Sequence, residues 1–237
     1  MVKSLILSLD MDDEKQVLTL VRELKDEVSF KVGKQLFTRY GPGIVKKIRA
    51  LGGEIFLDLK FHDIPNTVAS ACREAVRLGV QMFNVHASGG KEMLTKAALA
   101  TAEASQEFGI PRPILLAVTV LTSLTESVLK EELGCVRSMQ EQVLTLASMA
   151  QEGGLDGVVC SPLEITWIKQ KCGSDFIVVT PGVRPVWAES NDQRRTMTPE
   201  EAVRTGADYL VVGRPILAAK DRKGTARKIL QEMQFKE

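Results

Sequence analysis

Residues 54–60, Glu54-Ile55-Phe56-Leu57-Asp58-Leu59-Lys60, alternate with the period of a strand. Successive side chains of a strand point to opposite faces. Ile55, Leu57 and Leu59 therefore share one face, and Phe56, Asp58 and Lys60 share the other. The aliphatic face suits a covering layer of helices, and the mixed face ends in two opposite charges. Short runs rich in leucine and β-branched residues recur on both sides of this stretch: LILSLD (5–10), VSFKV (28–32), QMFNVH (81–86), ILLAVTV (114–120), DGVVCS (156–161), FIVVT (176–180) and YLVVG (209–213). Most are separated by segments of helical period long enough to cross back, such as EKQVLTLVRELKDE and KEMLTKAALATAEASQEF.

Strand alternating with helix implies right-handed crossovers and a parallel sheet. Eight such units in 237 residues average roughly thirty residues each, the size of one unit of a (β/α)8 TIM barrel. The expected fold is thus α/β, a single barrel domain over 1–237. An open doubly wound sheet competes, but no GxGxxG follows the first strand. Ser161-Pro162-Leu163-Glu164 and Thr198-Pro199-Glu200-Glu201 each read as a capping box with proline at the first helical position. Two connections, 121–138 and 182–197, exceed the rest, and loops of that length in a compact domain are usually functional.

Composition narrows the function classes. Hydrophobic residues at 44% and charged residues at 26% suit a folded globular chain. With Lys+Arg 31 against Asp+Glu 30, nothing biases the surface toward nucleic acid or acidic lipid. Four cysteines without a CxxC pair and only two histidines argue against a zinc site or a disulfide scaffold. No apolar run approaches a membrane span, and the N-terminal run is too short for a signal peptide, so a cytoplasmic protein is expected.

Polar residues cluster at the carboxyl ends of the strands. Asp10 ends the first, Lys31 lies late in the second and His86 ends the fourth; Thr119 and Thr122 follow the fifth, Arg184 the seventh, and Gly213-Arg214 the eighth. One polar residue at a strand end is ordinary. Asp58, Lys60, Asp63 and Lys31 together are different, because each buried ion costs several kcal/mol unless its neighbours neutralise it. Alternating signs meet that requirement at the end of the barrel where such enzymes place their chemistry.

The segment Asp58-Leu59-Lys60-Phe61-His62-Asp63-Ile64-Pro65-Asn66-Thr67 resembles the D-x-K-x-x-D-I-P signature of the orotidine 5′-phosphate decarboxylases. The likeness continues through Lys31-Val32-Gly33, Asn84-Val85-His86-Ala87, Thr180-Pro181-Gly182-Val183-Arg184, Asn191-Asp192-Gln193-Arg194-Arg195 and Val211-Val212-Gly213-Arg214. It implies conversion of orotidine 5′-phosphate (OMP) to UMP and carbon dioxide, the last step of de novo UMP synthesis, without cofactor or metal. Lys60 would protonate the pyrimidine carbon that loses its carboxylate, and Asp58 would sit beside that carboxylate. Lys31 and Asp63 would complete the charged network. Asp10 and Lys31 would hold ribose hydroxyls, Thr122 the pyrimidine, and Arg184, Gln193, Gly213 and Arg214 the phosphate, with 182–197 closing as a lid. A homodimer is implied, in which Asp63 and Thr67 reach the partner's substrate.

The chemistry suits these roles. The carbanion has no adjacent carbonyl to delocalise it, so an ammonium can supply both field and proton. Two unit charges 4 Å apart interact by about 4 kcal/mol at an effective dielectric of 20, so Asp58 acts either by repelling the substrate carboxylate or by holding Lys60. Two rivals remain at this stage: a metal-dependent sugar-phosphate decarboxylase or aldolase on the same barrel, and a non-catalytic phosphate-ligand binding protein. His86 is expected to be a neutral packed histidine, His62 to point away from the mouth and Cys160 to be inert. Trp167 is expected to pack, and Trp187 to be partly exposed.

Overall fold

The apolar runs close on themselves. A computed structural model describes residues 4–187 and 197–234. Its strands β1 (Leu5–Ser8), β2 (Ser29–Gly33), β3 (Ile55–Phe61), β4 (Met82–His86), β5 (Ile114–Val118), β6 (Gly157–Val159), β7 (Ile177–Pro181) and β8 (Tyr209–Val212) pair in parallel and in sequence order. The first strand bonds both the second and the eighth, through Ile6↔Ser29 and Ile6↔Val211. That closure rules out the doubly wound alternative. Each strand end falls within two residues of its expected limit.

The crossovers are α1 (Glu14–Leu24), α2 (Lys34–Tyr40), α3 (Pro42–Ala50), α4 (Pro65–Arg77), α5 (Lys91–Phe108), α6 (Met139–Glu152), α7 (Ile165–Cys172), α8 (Pro199–Thr205), α9 (Arg214–Leu217) and α10 (Arg222–Glu232). In α1 the apolar stripe Val17, Leu20, Val21 and Leu24 is fully buried, and Asp13 caps the start by accepting the Gln16 N–H at 3.0 Å. The expected capping box of Thr198 forms and opens α8. At Ser161, before a 3₁₀ turn and α7, the Ser161 N–H donates to Glu164 Oε2 at 3.0 Å, while the buried Ser161 Oγ has no hydrogen-bond partner among the described residues. Another box, Ser138 with Glu141, starts α6.

Alternation along the strands sorts side chains into two cores. Leu5, Leu7, Ile55 and Leu57 pack outward under the helices, with Leu59 at the margin of the same core. Ile6, Phe56, Met82, Leu116, Val179 and Val211 form a separate cluster that fills the barrel. Continuing along the inward set, Ser8, Lys31, Asp58 and Asn84 follow toward the carboxyl ends of β1 to β4. The interior thus changes from hydrocarbon to polar in one step of two residues.

The two long connections have some order of their own. Within 121–138 a π-helical turn, Val128–Glu132, buries Leu129. The ends of 182–197 are tied by a parallel bridge, Val183↔Met197, in which the Arg184 N–H donates to the Met197 carbonyl at 2.9 Å. Gly182 turns the chain out of β7 at φ +80°, a conformation that a β-carbon disfavours. Residues 188–196, Gln193 among them, lie outside the described residues. Among those described, no helix is long and apolar enough to cross a membrane.

Candidate active site

The barrel opens at the carboxyl ends of its strands into a cavity of about 340 Å³. Eight of the residues singled out in the sequence line it: Asp10, Lys31, Asp58, Lys60, Thr122, Arg184, Gly213 and Arg214. Four of them form a charge chain. Lys31 Nζ lies 3.5 Å from Asp10 Oδ1 and 3.3 Å from Asp58 Oδ2, and Lys60 Nζ lies 2.5 Å from Asp58 Oδ1. Ser8 Oγ donates to the other oxygen of Asp10 at 2.7 Å. Exposure falls along this chain from 53% for the Asp10 side chain to 12% for those of Lys31 and Asp58. The most buried anion is therefore the one with a cation on each side, as the cost of desolvation requires.

Asp58 reports that balance. Burial pushes its carboxyl upward, but the ammonium groups of Lys31 and Lys60, with hydrogen bonds from Lys60 and Asn84, outweigh burial and hold it below the ordinary carboxylate range. It is an anion at neutral pH. Lys60 reaches it from an unusual backbone: its φ of +55° makes it the single non-glycine residue in the left-handed region among those described. That conformation costs a residue with a β-carbon about 1–2 kcal/mol.

Arg184 and Arg214, which follow β7 and β8, line the same cavity as the charge chain, Arg184 with only 8% of its surface exposed. Gly213 lies against β1; a β-carbon there would stand 3.4 Å from Ser8 Cβ. Cation, glycine and guanidinium together make a wall suited to an anionic group, reached by backbone as well as side chain. Thr122 is exposed at the rim, whereas Thr119 is buried and donates to the Val159 carbonyl at 3.3 Å, a strand-to-strand contact.

Asp63 and Thr67 do not join this group. Both are exposed and neither lines the cavity of its own chain. Asp63 accepts the Ile64 N–H at 2.6 Å, just before α4. The within-chain network is therefore Asp10, Lys31, Asp58 and Lys60, without Asp63.

Asn84 is the residue whose part was missed in the sequence. It is fully buried, its Oδ1 accepts the Lys60 backbone N–H at 2.8 Å, and its Nδ2 donates to Asp58 Oδ1 at 2.7 Å. The available signal was a carboxamide at an inward position of β4, in step with Met82.

The remaining polar groups are quieter. Cys160 touches the cavity but is buried, which pushes its thiol well above the ordinary range and away from nucleophilic use. Trp187 is 41% exposed, its indole N–H donating to Glu232 at 2.6 Å under Lys228. His62 is exposed, and its ring lies 5.3 Å from that of His86. Burial first, then the charges of His62, Lys34 and Lys60, lower His86 from 6.5 to about 4, so it is neutral at physiological pH.

This shift has a consequence for stability. The folded state resists a proton that the unfolded state accepts, so stability rises with pH across the window from about 4 to 6.5 and is lost as pH falls through it. His86→Gln is expected to flatten that dependence in urea titrations, by at most about 3 kcal/mol before solvent screening of a half-buried ring. An unchanged slope between pH 6.5 and 4 would remove His86 as its source.

Comparison with known proteins adds an independent finding. The sequence model of the orotidine 5′-phosphate decarboxylase / HUMPS family matches residues 3–229. The orotidine 5′-phosphate decarboxylase of Syntrophotalea carbinolica is 55% identical over 232 residues, which cover 98% of this chain and 95% of that one. That of Moorella thermoacetica is 52% identical over 236 residues, covering 98% and 92%. The crystal structure of orotidine 5′-phosphate decarboxylase from Lactobacillus acidophilus superposes with a TM-score of 0.87 at 41% identity, covering 98% of this chain and 100% of that chain.

Proposed function

The chain belongs to the orotidine 5′-phosphate decarboxylase / HUMPS family, and from that membership we propose that it converts OMP to UMP and carbon dioxide in pyrimidine nucleotide synthesis. The observation that carries the proposal is the Asp10–Lys31–Asp58–Lys60 chain at the mouth of the cavity, which it shares with Arg184 and Arg214. A nucleotide with its phosphate on the arginine wall presents its base to the charged one. We take residues 1–237 as one working domain. Its four free cysteines suit the reducing cytoplasm, where we place its work.

In this reading the ring carbon–carboxylate bond breaks, carbon dioxide leaves, and the electron pair stays on the ring carbon. Lys60 Nζ then gives that carbon a proton and is left as the neutral amine, which regains its proton from solvent. Before transfer the same ammonium stabilises the developing charge at short range in a cavity of low dielectric. Asp58 and Lys31 fix where that ammonium waits. The 2.5 Å Asp58–Lys60 contact supports the holding role of Asp58 over one of pure repulsion. Asp10 and Lys31 face the ribose, Thr122 the pyrimidine edge, and Arg184, Gly213 and Arg214 the phosphate. Gln193 belongs to the phosphate end by resemblance alone. Energy from the remote phosphate serves to order the reacting end. The exposed positions of Asp63 and Thr67, with Ile64 between them 67% exposed, support a homodimer in which they serve the partner's cavity.

The rival metal-dependent sugar-phosphate chemistry needs converging oxygen or nitrogen ligands. No group of three or more His, Cys, Asp or Glu among the described residues is arranged to hold a metal ion, and Asp58 is already engaged by two ammonium groups. The test is the loss of OMP ultraviolet absorbance in metal-free buffer containing EDTA. Full turnover is expected there. Turnover that disappears with EDTA and returns with magnesium would favour the rival.

A further inference from the structure

The β3–β4 ladder is interrupted beside the charge chain. Its register passes from Leu57↔Phe83 to Phe61↔Val85, so four steps along β3 oppose two along β4. Residues inside such an insertion lose their regular partners. Lys60 lies inside it, at φ +55°. A strained conformation of this kind persists only where its surroundings over-determine it.

Asn84, on the facing strand, supplies that determination. Its carboxamide bonds the Lys60 N–H at one end and the Asp58 carboxylate at the other, both at ordinary distances, and has no exposed surface. Its orientation follows from its partners: the Lys60 N–H can only donate and an ionised carboxylate can only accept, so a flipped amide would face a donor with a donor and an acceptor with an acceptor. One side chain therefore fixes the backbone of the cation and the carboxylate of the anion together.

We infer that Asn84 is a positioning residue for decarboxylation, standing in for the missing rung of the β3–β4 ladder so that Lys60 is aimed into the cavity. The inference rests on the reading of Lys60 as the proton donor. It separates positioning from substrate affinity, because Asn84 does not line the cavity and the arginine wall does not depend on it.

The test uses two variants beside the parent protein, each assayed with OMP and titrated with UMP. Asn84→Ala is expected to lower kcat on the order of 10²-fold, the cost of a misplaced catalytic group, and to leave the UMP Kd within about 3-fold. A kcat within about 3-fold of the parent would overturn the inference, as would proportionate loss of kcat and UMP binding. Asn84→Asp keeps the shape. The groups facing it are Asp58 and Lys60 on β3, Lys31 beyond Asp58 on β2, and His86 on its own strand. When the introduced carboxyl and that of Asp58 share one proton, the donor to Asp58 and the acceptor for the Lys60 N–H are both restored. The ratio of variant to parent kcat is therefore expected to rise as pH falls, and a ratio flat with pH would overturn the inference. Should Asn84→Ala not fold, that ratio alone decides. A parent protein without OMP decarboxylation would overturn the reading of the enzyme; an active parent with indifferent Asn84 variants would overturn only the role of Asn84.

Discussion

Lys60→Ala is expected to lower kcat for OMP decarboxylation by about 10⁴-fold or more while the UMP Kd changes by less than about 3-fold. Two effects leave with the ammonium. General acid transfer contributes about 10²–10⁴-fold, and short-range stabilisation of the carbanion a further 10²–10³-fold, overlapping because one group supplies both. A loss of 10⁴ corresponds to about 5.4 kcal/mol of transition-state stabilisation. UMP has already gained its proton and carries its negative charge on the phosphate, which the proposed reading assigns to Arg184 and Arg214, so its affinity has little reason to follow. The fold should survive, because Asp58 keeps Lys31 at 3.3 Å and Asn84 at 2.7 Å. Stopped-assay turnover and UMP calorimetry on the same preparation measure the split. Near-normal turnover would eliminate Lys60 as the proton donor, and a parallel loss of UMP binding would make its role one of general affinity.

Mixing inactive Lys60→Ala chains with inactive Asp63→Ala chains is expected to restore about a quarter of the parent activity per subunit. The arithmetic follows from two-fold symmetry. If each site takes Lys60 from one chain and Asp63 from the other, a heterodimer has one intact site and one doubly damaged site. Random exchange makes about half the dimers hetero, hence a quarter of the sites intact. The expectation is motivated by where the structure leaves these residues: Asp63 and Thr67 exposed, outside their own cavity, beside an Ile64 that is 67% exposed. Asp63→Ala homodimers should be impaired on the order of 10²-fold, as when one of a close charge set is removed. Native mass spectrometry establishes that subunits have mixed. Verified heterodimers without recovered turnover would place Asp63 outside the partner's site.

Much of this protein was legible before any coordinate. Alternation with period two and helical segments of period 3.6 are local properties, and they gave eight strands in order, each within two residues of its observed ends. The inward pairing of Phe56, Asp58 and Lys60 followed from the same alternation, although Lys60 keeps its place by way of an interrupted ladder rather than a regular one. Arg184 and Arg214 were found as residues beyond β7 and β8, which is where a barrel gathers phosphate contacts. Asn84 was passed over because a buried carboxamide is interpretable only through its partners.

The sequence alone determined the barrel, the inward faces of its strands and the signs of the charges at their ends, because these depend on neighbours a few positions away. Tertiary structure decided the rest: which carboxylate lies between two ammonium groups, that Asn84 completes a broken rung beneath Lys60, and that Asp63 stands outside the cavity its neighbours line. Those outcomes depend on strand register and on barrel closure, which bring residues 24 to 26 positions apart within hydrogen-bond reach. No local pattern specifies distances of that kind.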